Sequence, residues 1–143
     1  MLGRKSYDTD YIRHCRSLIA GQLESYDELV AAAKKGGDGK VDEALAAFEP
    51  RFFNNLVLVL DNLFVHRLRT AEGKDGNPLN EVRVICGSLL ENGGALAADK
   101  QIKLKPETSV LGYEVGDTIA LDEDGFRRLA EAFFNEIEAK FAG

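Results

Sequence analysis

The sequence is poor in sulfur and proline and has no tryptophan. It holds two cysteines, one methionine and three prolines in 143 residues. Two cysteines, Cys15 and Cys86, do not make a disulfide framework. Both fall on apolar helical stripes, where a thiol acts as a small buried hydrophobe. Histidine is as scarce, with only His14 and His66. No CxxC, HxxxH or ExxH spacing occurs, which excludes a ferritin-like di-iron bundle. A zinc site from Cys15, His66 and Cys86 would require three helices to converge by chance. There is no GxSxG elbow. The GGDGK run at 36–40 lacks the spacing of a phosphate loop and follows no apolar strand. A thiol–imidazole pair of Cys86 and His66 would need an exposed, electropositive cysteine, whereas Cys86 is mid-stripe. No metal, cofactor or catalytic residue is therefore assigned, and a non-enzymatic role is the expectation.

Positive charge is also short. Lys and Arg number 18 against 24 Asp and Glu, a net charge of −6. That disfavours a general attraction to nucleic acid or anionic membrane. The longest apolar stretch, 51–70, is interrupted by Asn54, Asn55, Asp61 and Asn62, and a membrane span needs about 20 apolar residues. The first ten residues lack the apolar core of a signal peptide, so the cytoplasm is the expected location.

What is present is hydrophobic periodicity. The length fits one domain, 1–143, with a real core. Tyr11, Ile12, Cys15, Leu18, Ile19, Leu23, Tyr26, Leu29, Val30 and Ala33 recur at helical spacing, which predicts a long helix over 10–33 with a possible break at Ser25. Its other face carries the small residues Ser17, Ala20 and Gly21, which would allow close approach by another element. KKGGDGK at 34–40 stops that helix. A short helix is expected over 41–48, and Pro50 then suits the first turn of a third helix running to Ala71. Asn77–Pro78 starts a fourth helix, closed by Asn92–Gly93–Gly94. From 95 to 121 the period changes. Residues 101–105, 110–115 and 118–121 read as strands of an antiparallel ribbon. A last helix, 123–141, is capped by Asp122 and carries Phe126, Phe133, Phe134 and Phe141 inward. The fold class is mainly α, or α+β if the ribbon is counted: four main helices, one short helix and a β-ribbon insert before the last helix.

The third helix is the organising element. Its apolar residues cover about half the circumference, more than a surface helix needs. The remaining arc is rich in Asn, a poor helix former that hydrogen-bonds well when half buried. Leu58 and Val65, seven residues apart, would stack on one line within it. The leading expectation is association: a homodimer using the third helix across Leu58 and Val65, the first helix or both, or a protein-interaction module. The alternative is an anion-binding protein or enzyme. Asn55, Asn62, His66 and Arg69 share a helical face, and with Arg67, Asn80, Glu81 and Arg83 they would surround the turn before the fourth helix, where a phosphate or carboxylate could bind. Asp61, if buried, would need Arg83, Arg13 or Arg16 as a partner. A further alternative rests on order alone: helices, ribbon and final helix resemble a winged-helix regulator, with the fourth helix as reader and Lys100, Lys103 and Lys105 on the wing.

Overall fold

The computed structural model describes residues 3–143. The chain is mainly helical: α1 (Thr9–Lys35), α2 (Gly39–Leu63), α3 (Arg69–Glu72), α4 (Pro78–Glu91) and α5 (Glu123–Phe141). α1 runs unbroken past Ser25 and buries Ile12, Cys15, Ile19, Leu23 and Tyr26. Successive gaps of three and four residues keep that stripe on one side for the whole length.

α2 joins what the sequence divides. Residues 41–48 and the apolar stretch form one helix, with Asp38 accepting from the Lys40 N–H at its start and Pro50 in its interior. Proline removes one i→i−4 bond and usually marks a boundary. Here the carbonyl that loses its donor belongs to Ala46, an exposed residue, so water can take the bond and the helix continues. The other end comes earlier than expected, at Leu63 rather than Ala71. Phe64 is fully buried and packs edge-on to Tyr7 and Phe134. Placing that ring inward turns the chain, and the end of the expected third helix survives only as the separate four-residue α3.

A strap from the start of the chain covers this turn. The Arg4 N–H donates to the His66 carbonyl at 2.6 Å, and the Leu68 N–H donates to the Arg4 carbonyl at 2.8 Å. The same strap reaches the last residues: the Tyr7 N–H donates to the Phe141 carbonyl and the Gly143 N–H to the Tyr7 carbonyl. Gly3 is where the approach is tightest. A Cβ there would lie 2.7 Å from the His66 carbonyl oxygen and 2.7 Å from the Leu68 Cα.

α4 starts as its sequence predicts, with Pro78 in the first turn and Asn77 accepting from the Leu79 and Asn80 N–H groups. α5 starts with Asp122 accepting from the Gly125 N–H. α2 packs on α1, α4 and α5, and Phe53, Phe64, Phe126, Phe133 and Phe141 are fully buried in one core.

The 95–121 segment differs from the expected ribbon. Antiparallel pairing is confined to a single bridge, Ala95 with Thr118, supported by Leu96 N–H to the Asp117 carbonyl and Ile119 N–H to the Gly94 carbonyl. Residues 101–105 and 110–115 do not pair with each other. Helix side chains hold the segment instead. Asn54 donates to the Ile119 carbonyl and accepts from the Leu121 N–H, and Glu81 accepts from the Val110 and Leu111 N–H groups. A strand whose backbone donors are satisfied by side chains has no need of a ladder.

Candidate functional site

The polar residues of 61–83 converge on Glu72, which has no solvent exposure. One carboxylate oxygen, Oε1, accepts from Arg67 Nε at 2.8 Å and from Arg83 Nη2 at 2.6 Å. The other, Oε2, accepts from Asn80 Nδ2 at 2.8 Å and from Arg83 Nε at 3.1 Å. Arg83 therefore grips Glu72 with a two-pronged fork, the strong geometry for a guanidinium and a carboxylate. Arg67 is buried as well. It donates to the carbonyls of Phe64 and Leu79 and lies over the Phe133 ring. Asp61 finds its partner here, and it is Arg67 Nη2 at 2.8 Å, not Arg83, Arg13 or Arg16. That contact is an ion pair by distance without an aligned hydrogen bond, because Asp61 Oδ1 has no donor directed at it. Burial raises the Glu72 carboxyl, yet the Arg83 hydrogen bonds and the Arg67 and Arg83 charges outweigh it and hold the group below its ordinary range.

The turn at 73–77 is wrapped around this knot. Asn80 donates to the Gly73 carbonyl and accepts from the Gly76 N–H. Lys140 and Asn77 both donate to the Glu72 carbonyl. Gly76 has φ +89° and a Cβ there would meet the Lys103 carbonyl oxygen at 2.5 Å. Every charge inside is matched, so the knot is a structural joint.

The knot does fix what surrounds it. His66, Arg69, Thr70 and Arg83 line a shallow groove of about 450 Å³ together with Arg4 of the strap. A second groove, about 530 Å³, adjoins it through the shared Arg4, Val65 and His66 and continues past Asn62, Tyr7, Tyr11 and Asp8. Among the residues named from sequence, His66, Arg69 and Arg83 are thus brought together and Asn62 lies next to them. Asn55 lines neither groove and is exposed. Leu58 is half-buried against the core and Val65 sits in the turn after α2. The helical line that was to join them ends with the helix. Arg4 and Tyr7 have no signal in local spacing, because they arrive from the far end of the chain, and Tyr11, which the spacing places on the buried stripe, is exposed and faces the second groove.

A larger groove, about 650 Å³, runs between α1 and α5. Its floor is the outer edge of the core, where the buried side chains of Ile19, Leu23, Ala130 and Phe134 meet the groove and Arg16 lies over the Phe134 ring at 4.9 Å. Its rims are charged. Arg16 holds Glu138 at 2.6 Å and Glu131 at 3.2 Å, and Arg127 holds Asp27 at 2.9 Å. Glu24 and Glu28 also line it, and neither forms an ion pair among the described residues.

Both cysteines are buried, and burial pushes the Cys15 and Cys86 thiols up. No cluster of metal-ligating side chains occurs among the described residues, and no helix is long and apolar enough to cross a membrane. α4, the reader of a winged-helix arrangement, is buried over Leu79–Ile85 except at Arg83, and residues 100–105 form no wing. No family model, curated protein or solved structure matches this chain.

Proposed function

We propose that the protein is a non-enzymatic interaction module, and that its working surface is the α1–α5 groove. The occupant is an amphipathic helix of a partner protein, with an apolar face and a basic flank. The observation that carries this reading is the groove's combination of an apolar floor with an excess of acid. Glu24, Asp27, Glu28 and Glu131 face Arg16 and Arg127 along the rims. Both arginines are already held by acids within the chain, so the charge left for a partner is that of Glu24 and Glu28, one turn apart. The lining on α1 extends from Arg16 to Glu28, which is about 18 Å of helix. That length suits about three turns of a docked helix reading i, i+3 and i+7 anchors. This moves the expected association surface off Leu58 and Val65. A second copy of the chain, acidic overall, is the competing occupant.

The test uses a Leu/Lys amphipathic helical peptide of about 14 residues, with a Leu/Glu peptide as control. Amide shifts on titration are expected at Leu23, Ala130 and their neighbours, saturable with the basic peptide and absent with the acidic one. Glu24→Lys with Glu28→Lys should weaken binding at least about tenfold. Equal binding of both peptides, or shifts spread over other faces, would sink the proposal. A solution mass twice that of the monomer, lost on Ala20→Arg, would replace it with the homodimer.

A further inference from the structure

We infer that the two adjoining grooves at the 64–70 turn form one binding site for a small phosphorylated organic molecule. The phosphate is taken by the groove of Arg4, His66, Arg69, Thr70 and Arg83. The organic part lies in the adjoining groove beside Tyr11 and Asn62. This site is separate from the α1–α5 groove and does not depend on it.

Three observations carry the inference. The first is charge. The chain is acidic overall, yet no carboxylate side chain lines the first groove. Glu72 stands behind it, fully buried and occupied by Arg67, Arg83 and Asn80. Arg4 and Arg69 form no ion pair among the described residues, and Arg4 rests over the Tyr7 ring at 5.3 Å. The second is preorganisation. Glu72 fixes Arg83 through Nε and Nη2, and Nη1 makes no hydrogen bond within the described residues. A guanidinium held in place loses little side-chain entropy when it takes a phosphate oxygen, and Arg suits phosphate geometry. The third is continuity. His66 and Arg4 belong to both grooves, so a ligand that spans them touches the same two side chains from either side. The second groove offers an amide, aromatic rings and one acid, Asp8. With Asp8 offset by the shared Arg4, that lining fits an uncharged ring or polyol. Two guanidiniums without an ion pair among the described residues, Arg4 and Arg69, the Nη1 prong of Arg83 and an imidazole around one groove match a dianion better than a single carboxylate.

The probes are inorganic phosphate, phenyl phosphate and phenylacetate, titrated into the full chain by calorimetry and followed at backbone amides. Phenyl phosphate is expected to bind about tenfold tighter than inorganic phosphate, because only it fills the second groove. Arg69→Gln and Arg4→Gln should each weaken both phosphates by about tenfold. Asn62→Ala should weaken phenyl phosphate and leave inorganic phosphate unchanged. All three side chains are outside the core, and unchanged far-ultraviolet circular dichroism would show the fold intact. No saturable binding of either phosphate up to about 10 mM overturns the inference. Binding that ignores Arg4→Gln and Arg69→Gln also overturns it. Phenylacetate binding as tightly as phenyl phosphate overturns the phosphate assignment.

Discussion

Glu72 shows how much one side chain can hold. It joins α3 to α4 through Arg83 and Asn80, and to the turn after α2 through Arg67. Removing one partner of a buried ion pair leaves the other charges uncompensated. Glu72→Gln should therefore cost about 3–5 kcal/mol in urea unfolding, with Arg67 and Arg83 left facing each other. The pH dependence has a definite sign. The folded carboxyl lies below its ordinary value of 4.5, so in that window the unfolded chain binds more protons. Stability from this group is full above about pH 4.5 and is lost as pH falls through the depressed folded value. The wild-type urea midpoint should fall with acid there, and that of the Gln variant should fall less over the same range. The neighbourhood of this knot is legible in the sequence, which places Arg67, Arg83 and Asn80 around one turn. Glu72 itself is not legible, because an acid in a polar turn carries no periodic mark of burial. Asp61 reads from the sequence as needing a cation if buried, but the one supplied sits six positions on, where only the turn at 64–66 lets it fold back.

The helices were largely legible and their joins were not. The stripe of α1 and the caps of α4 and α5 are local signals, and Asp122, Asn77 and Pro78 act where the sequence places them. α2 runs on through Pro50 because proline's penalty is local while the packing of Phe52, Phe53, Leu56 and Val57 is not. Pro50→Ala should then stabilise the protein, by about 1–2 kcal/mol after allowing for the freer unfolded chain. A fall in stability would mean that the proline ring itself packs usefully. The ribbon was over-read for a related reason. Alternation at 101–105 is real, and it puts Ile102 inside and Lys103 and Lys105 outside. Alternation fixes a side-chain pattern but supplies no neighbouring strand, and Asn54 and Glu81 take the backbone groups that a ladder would have used. Asn54 also shows what the asparagine-rich arc is for at one of its positions: it anchors the loop.

At the scale of the whole molecule, the strap 3–7 decides how the surfaces are arranged. It carries Arg4 to the cationic groove and Tyr7 into the core. Gly3→Ala should force the strap off the 64–68 turn, because the clash is with backbone that has nowhere to move. Hydrogen exchange should speed up at the Arg4 and Leu68 amides while amides of α2 and α5 keep their protection. Equal protection at Leu68 in both proteins would show that the turn holds without the strap. The strap also imposes an order in time. Residues 3–7 are synthesised before any of their partners, yet Tyr7 pairs with residues 141–143 and Arg4 with the turn at 66–68. This segment is thus made before it can settle: Arg4 can dock once the turn at 66–68 exists, whereas Tyr7 stays uncommitted until the final helix is complete.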